Sequence, residues 1–137
     1  MKVLLIDKVH SSFKDKFDQW GWQTVEGYDW AVDKIENEIA KFDGVIIRSR
    51  IVLDFKILSL ASKLKFIGRP GAGLENIDLN FCKQRNILVF RSPEGNRDAV
   101  GEHIIGMLLS LLNNLNKADF QVRRGEWIRE GNRGQEL

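Results

Sequence analysis

The sequence has few of the residues that usually build disulfide frameworks, metal sites or nucleophilic catalytic centres. Cys82 is its only cysteine, and His10 and His103 are its only histidines, among 137 residues. One cysteine excludes an intramolecular disulfide framework and a cysteine-based zinc site. No Ser-His-Asp arrangement, pair of carboxylates or spacing of metal ligands stands out. We therefore assign no catalytic residue and no metal ligand from the residues alone.

Long apolar runs and a strong charge of one sign are also missing. The first apolar run has only four residues, 3–6, and is interrupted by Asp7. A signal peptide or a membrane-spanning helix needs a longer run, so we expect a cytoplasmic protein that does not enter a membrane. The net charge of +2 is too small, and the basic residues too scattered, to indicate nucleic acid as a partner.

The first 92 residues or so alternate between short apolar runs and segments of helical periodicity. Five apolar runs read as strands, at 2–6, 22–26, 44–49, 65–68 and 87–92. The helical segments between them include two that Asp54 and Asp78 can cap. Parallel strands need such crossovers, so this pattern predicts an α/β fold: a flavodoxin-like, doubly wound, parallel five-stranded sheet spanning residues 1–94.

A different organisation begins at "SPEGN", where a proline and a glycine indicate a turn or hinge. The following residues predict one long helix that Asn96 caps, with Asp98 in its first turn. Between Ala99 and Leu115 this helix is apolar on more than one face, which is typical of a buried helix. Residues 95–137 therefore predict a part that needs further protein around it, and the chain by itself looks incomplete.

Closely spaced glycines follow the fourth predicted strand in "GRPGAGLENID". A dinucleotide fingerprint would need a third glycine where Asn76 stands, and a carboxylate near Arg91, where there is none. Gly71 and Gly73 can still point consecutive backbone N–H groups into the cleft, which would suit a carboxylate. A plain strand-to-helix turn that uses glycine only for its conformation is the alternative.

Arg48 and Ser49 follow the third predicted strand, so they should lie at the same carboxyl edge of the sheet as the glycine loop. An arginine there can donate two hydrogen bonds to a carboxylate or phosphate, although an ordinary solvated arginine is also possible. We expect His103 to pack at a helix contact and Cys82 to be a half-buried small hydrophobic residue.

Four segments together resemble the D-isomer-specific 2-hydroxyacid dehydrogenases, most closely their phosphoglycerate dehydrogenase branch. These segments are "VIIRSR", "LKFIGRPGAGLENIDL", "ILVFRSPEGN" and "AVGEHIIGMLLSL…RGEW". The resemblance covers the chain from about residue 44 onward. Pro70 and Glu75 depart mildly from the family pattern, which usually has alanine and aspartate at those positions.

The resemblance implies roles for particular residues. Arg48 and Ser49 would face a 2-hydroxy or 2-oxo acid, the Ala72 and Gly73 amides would hold its carboxylate, and Asn96 would stand near it at the hinge. Ala72 would also approach the nicotinamide side of NAD. Residues 97–128 would form the dimer interface and belong to an incomplete Rossmann domain.

The family's catalytic arginine, glutamate and histidine, and its nucleotide fingerprint, match nothing in this chain. We therefore expect the 137-residue chain to be inactive alone and to bind NAD only with a complete cofactor domain. A receiver domain of a response regulator is excluded, because Lys8 and Arg48 stand where acidic residues would be needed. A non-catalytic module that binds a small anion or forms an oligomer remains an alternative.

Overall fold

The computed structural model describes residues 1–136. It divides the chain into two compact units, a first unit of Met1–Gly95 and a second that begins at Asn96. Each unit is built around its own secondary structure, and the carboxyl ends of the strands all belong to the first. The edge of the sheet where ligands usually bind therefore lies in the first unit.

A parallel sheet of five strands forms the centre of the first unit, with the order β2-β1-β3-β4-β5. This is the flavodoxin-like order, and it confirms the predicted fold class. Its central strands are short apolar runs because both of their faces are covered. The strands are β1 (Lys2–Leu5), β2 (Gln23–Glu26), β3 (Gly44–Ile46), β4 (Phe66–Arg69) and β5 (Leu88–Arg91).

Helices cover both faces of this sheet. One face carries α1 (Ser11–Gln19), whose Phe17 packs with Val3, Leu5 and Ile46. The larger apolar cluster, on the other face, includes Ile35, Ile57, Phe81 and residues from the central strands. Those three residues lie on the helices α2 (Val32–Glu38), α3 (Phe55–Leu60) and α4 (Leu79–Gln84), and a 3-10 turn, Ile39–Lys41, follows α2.

Side-chain caps fix where three of these helices begin. Asp54 accepts a hydrogen bond from the Ile57 N–H at 3.0 Å, and Asp78 accepts one from the Phe81 N–H at 2.9 Å, which confirms both predicted caps. At α1 the cap is His10, whose Nδ1 accepts from the Ser12 N–H at 3.3 Å. Sequence reading overlooked this role because histidine is seldom a capping residue.

Cys82 is more deeply buried than the sequence suggests, with 2% of its surface exposed. It lies on α4 in the main apolar cluster. Burial raises the pKa of its thiol, so the thiol stays protonated and unreactive at neutral pH.

The second unit departs from the single long helix that the sequence predicts. Helix α5 (Glu94–Leu112) begins two residues before Asn96, because Pro93 has the φ of a first helical turn and the Glu94 carboxylate suits that turn. Asn96 is therefore a helical residue and not the cap. The helix then ends, and Asn114 adopts a left-handed φ of 52° before α6 (Leu115–Arg123) begins. A 3-10 turn, Glu130–Asn132, follows.

No residue of α5 is buried in the chain as described. Its large apolar side chains are exposed in this single chain, and the prediction that further protein covers them stays a prediction; Leu111 is 75% exposed and Met107 62%. Among residues 1–136, no helix, α5 included, is both long enough and apolar enough to span a bilayer.

Candidate functional site

A cleft of about 420 Å³ opens at the carboxyl edge of the sheet. It lies where the strand order reverses between β1 and β3, the point at which open α/β sheets usually bind ligands. The segments after β1, β2 and β3 supply its walls. Its lining residues are Asp7, Lys8, Tyr28, Asp29, Arg48, Ser49 and Arg50.

Arg50 forms the fixed part of this cleft. Its guanidinium donates hydrogen bonds to the carbonyl oxygens of Ile6 at 2.9 Å, Gly27 at 3.0 Å and Trp30 at 2.8 Å. Its Nε also lies 3.5 Å from the Asp7 Oδ1. Because these acceptors follow β1 and β2, Arg50 ties the ends of those strands to the segment after β3. Sequence reading singled out Arg48 and missed Arg50, although both lie in the same "RSR" motif.

Arg48 differs from Arg50 in having an uncommitted side chain. Its backbone N–H donates to the Asp7 Oδ2, but its guanidinium makes no hydrogen bond or ion pair with any residue in the range 1–136. The side chains of Arg48 and Ser49 are exposed and line the cleft. The Arg48 guanidinium is therefore free to form two hydrogen bonds with an anion.

The glycine loop follows β4, the neighbour of β3 in the sheet. Its carbonyl groups already have partners: the Ser92 N–H donates to the Gly71 oxygen at 3.0 Å, and the Arg91 guanidinium donates to the Ala72 oxygen at 3.2 Å. The Ala72 and Gly73 N–H groups, by contrast, donate no hydrogen bond within the described part of the chain. Two adjacent free N–H groups in an exposed loop form a donor pair that suits a carboxylate.

The side chains of Arg69 and Glu75 lie against the glycine loop. The Arg69 side chain is only 13% exposed and its Nη2 lies 3.6 Å from the Glu75 Oε1. A Cβ added at Gly71 would displace the Arg69 guanidinium from its present position against the loop. Glu75, which departs from the family pattern in sequence, thus has a structural partner in this chain.

Asn76 connects the glycine loop to the segment that carries Arg48. Its Nδ2 donates to the carbonyl oxygens of Arg48 and Ile51, both at 3.0 Å, and its surface is only 8% exposed. Its Oδ1 is buried and has no partner within residues 1–136, which costs about 1–3 kcal/mol for such an acceptor. The sequence showed Asn76 only as the residue that breaks a glycine fingerprint.

Asn96 and His103 belong to the second unit. Asn96 is exposed on α5. His103 is exposed too, and not packed at a helix contact as predicted; it lines a groove of about 900 Å³ whose wall also includes Met107, Leu108 and Asn116. This groove is mainly apolar, and Glu102 also lines it.

Tyr28, which also lines the cleft, has a shifted pKa. Partial burial and the Glu26 carboxylate raise the pKa of its phenol, while Lys14 nearby acts in the opposite sense. The phenol therefore stays protonated at neutral pH and can donate a hydrogen bond into the cleft. Within residues 1–136, no group of three or more metal-ligating side chains comes together.

The described residues do not fit a complete dinucleotide. A pyrophosphate needs a helix N-terminus directly after the glycines, but α4 begins only at Leu79. The third glycine position holds Asn76, whose amide is already bound to Arg48 and Ile51. The loop therefore offers two amides to a small anion but lacks the geometry of a nucleotide-binding loop.

Comparison with known proteins agrees with this fold. A sequence model described as the D-isomer specific 2-hydroxyacid dehydrogenase catalytic domain matches residues 3–124. D-3-phosphoglycerate dehydrogenase of Archaeoglobus fulgidus is 31% identical over 137 residues, which is all of this chain and 26% of that protein. The chain thus spans about a quarter of the length of this curated relative.

Two solved structures are similar over most of the chain. A Pyrococcus horikoshii protein matches with a TM-score of 0.83 and 27% identity, covering 92% of this chain and 38% of that one. The NAD⁺-bound 3-phosphoglycerate dehydrogenase of Entamoeba histolytica matches with a TM-score of 0.66 and 34% identity, covering 82% and 39%. The chain therefore belongs to the D-isomer specific 2-hydroxyacid dehydrogenase family, a family of oxidoreductases.

Proposed function

We propose that this chain is the substrate-binding part of an NAD-dependent D-2-hydroxyacid dehydrogenase and binds a 2-hydroxy or 2-oxo acid at the carboxyl edge of its sheet. The observation that supports the proposal is the presence, among the described residues, of unpaired hydrogen-bond donors in the loops that follow the neighbouring strands β3 and β4. The Ala72 and Gly73 amides lack acceptors within residues 1–136, and the Arg48 guanidinium lacks partners there too. Together they would serve the carboxylate and a second polar or anionic group of one small ligand.

The remaining roles follow from family membership. Ser49 would contact the ligand beside Arg48, Asn96 would lie near it, and Ala72 would approach the nicotinamide of NAD. In the whole enzyme NAD would accept or donate the hydride at the substrate's C2. The relatives favour 3-phosphoglycerate as the substrate, since two of them are named as phosphoglycerate dehydrogenases.

We further propose that the 137-residue chain neither binds NAD tightly nor turns over substrate by itself. The glycine loop does not fit a pyrophosphate, and the family's catalytic arginine, glutamate and histidine have no match in the chain. An NADH oxidation assay with 2-oxo acids tests this proposal. Clear turnover by the purified chain would overturn it.

Ligand binding can be measured directly by calorimetry or by NMR titration with glycolate and 3-phosphoglycerate at millimolar concentrations. We expect 3-phosphoglycerate to shift the amide signals of Ala72 and Gly73 and the Nε–H signal of Arg48. Arg48→Met should weaken this binding about tenfold, as expected for a charge-assisted bidentate contact. Lys63→Met is a control, because it removes one exposed positive charge on the loop before β4. Equal binding by both variants, or no binding by the wild-type chain, would contradict the proposal.

A specific observation also favours an oligomer. Helix α5 exposes a nearly continuous apolar surface, which is uncommon for a protein that remains monomeric in water. We propose that residues 97–128 form a homodimer interface. The alternative to the enzyme assignment, a non-catalytic module that binds small anions or forms oligomers, would share this interface. We also propose a cytoplasmic location, where the lone buried thiol of Cys82 would stay reduced.

A further inference from the structure

Besides a hydrogen bond from the Asp78 N–H to the Leu53 carbonyl oxygen at 3.0 Å, three hydrogen bonds join the glycine loop to the segment after β3, and these three all involve Asn76. Its Nδ2 donates to the carbonyl oxygens of Arg48 and Ile51 at 3.0 Å each. Its own carbonyl oxygen accepts from the Leu53 N–H at 2.8 Å. Because Asn76 is 8% exposed, these bonds are shielded from competing water.

This arrangement fixes the backbone of Arg48 from both sides. The Asp7 carboxylate accepts from the Arg48 N–H, and the Asn76 amide donates to the Arg48 carbonyl oxygen. The guanidinium itself makes no hydrogen bond within residues 1–136 and is solvent exposed. Arg48 therefore has a fixed backbone and a guanidinium that is unpaired among the described residues. Because the backbone is already ordered, less conformational entropy is lost when the guanidinium binds a ligand.

We propose that Asn76 is a positioning residue that couples the Arg48 guanidinium to the Ala72 and Gly73 amides. It sets the distance between two anion subsites, so the site selects a short 2-hydroxy acid that carries a second anionic group. This inference rests on the proposed function. Asn76 touches neither ligand end itself and acts through the backbone that it holds.

The chemistry of the position explains why asparagine is needed. Both neighbours are carbonyl oxygens, so only a group with two N–H donors satisfies them. Aspartate has nearly the same shape, but its carboxylate would place an acceptor oxygen, where the Nδ2 donor was, against those two carbonyl oxygens. Asn76→Asp therefore removes the coupling while changing the side-chain volume very little.

The experiment compares two ligands on the intact chain and its variants. For Asn76→Asp we expect the affinity for 3-phosphoglycerate to fall about tenfold, and the affinity for glycolate, which has no second anionic group, to fall about twofold or less. Ile39→Ala is the control for destabilisation, because Ile39 is fully buried in the 3-10 turn after α2, outside both segments. A merely structural role of Asn76 predicts equal losses for both ligands, and that result would overturn the inference.

A second measurement needs no ligand. In Asn76→Asp we expect the amides of residues 48–51 and 72–74 to become mobile by ¹⁵N relaxation, with order parameters falling below about 0.6, while Ile39→Ala leaves them ordered. If the wild-type chain binds neither ligand, the proposed function fails, but the relaxation data still decide whether Asn76 holds the two segments together. Unchanged order in Asn76→Asp would refute the coupling whatever the wild-type chain binds.

Discussion

Arg48 and Arg50 lie two residues apart in the same loop, yet their guanidinium groups have opposite surroundings. Arg50 donates to three backbone carbonyl groups and pairs with Asp7. Arg48 donates to none of the described residues through its side chain and faces the cleft. One arginine holds the strand ends together, and the other is available to a ligand.

This contrast predicts different outcomes for two substitutions of the same chemistry. Arg50→Met should lower the free energy of unfolding by about 2 kcal/mol, because it removes the side-chain donor of the Ile6 oxygen and one of the two donors of the Gly27 oxygen, which also accepts from the Trp30 N–H. Arg48→Met should change it by less than about 0.5 kcal/mol, as expected for an exposed side chain without partners. Urea unfolding followed by tryptophan fluorescence measures both. Equal destabilisation by the two variants would show that the assignments are wrong.

A second prediction concerns acid. Asp43 accepts hydrogen bonds from the Lys65 ammonium at 2.8 Å and from the Lys2 N–H at 2.9 Å, and these donors lower the pKa of its carboxyl group. A lowered folded-state pKa stabilises the fold above the pKa of the unfolded state, and this stabilisation is lost as pH falls through the folded value. We expect wild-type stability to decline below about pH 4, the ordinary range of an aspartate. The curve for Asp43→Asn should be shallower there.

The size of this effect should be small, because Lys65 is exposed and its pairing is screened by solvent. Melting temperatures of the wild type and Asp43→Asn, measured between pH 2.5 and pH 7 in steps of about half a pH unit, would show the difference in the slopes of their stability curves. Asp33→Asn is a suitable control, since Asp33 makes no ion pair within residues 1–136. Parallel curves for wild type and Asp43→Asn would count against the assigned cause.

Cys82 offers a probe of opening in the first unit. Its thiol is buried and its pKa is raised, so we expect a thiol reagent at pH 8 to label it only when the structure around α4 opens. Labelling in urea should be at least about a hundredfold faster than in buffer. A native chain that reacts as fast as a small free thiol would contradict the burial of Cys82.

The proposed dimer depends on the exposed apolar surface of α5. Leu111→Glu places a charge on that surface at a side chain that is 75% exposed in the chain, so it should leave folding of the monomer intact while weakening association. Light scattering should then show a dimer for the wild type and a monomer for the variant. Leu60→Glu, at an exposed leucine of α3, is the matched control and should remain dimeric. A monomeric wild type would refute the interface.

Much of the fold could be predicted because it depends on local signals. The strands β1 and β3 are recognised from contiguous apolar residues. The caps Asp54 and Asp78 each bind an N–H group three residues further along the chain. Alternation of strands and helices then requires parallel pairing with crossovers, which leaves few possible topologies. The position of Arg48 at the carboxyl edge follows from the same reasoning.

Neighbours that are distant in sequence decided the rest. The side chain of Asn76 donates to residues 25 and 28 positions away, and that of Arg50 to residues 20 to 44 positions away. No local pattern could therefore show that Asn76 is more than a substitute for the third glycine of a fingerprint, or that Arg50 differs from a solvated arginine. The break at Asn114 was similarly hidden, because the apolar periodicity continues across it. The sequence alone determined the class of fold and the edge where a ligand can bind. Only the tertiary structure decided which side chains there are bound to the protein and which stay free, because hydrogen-bond partners become known only when the strands meet.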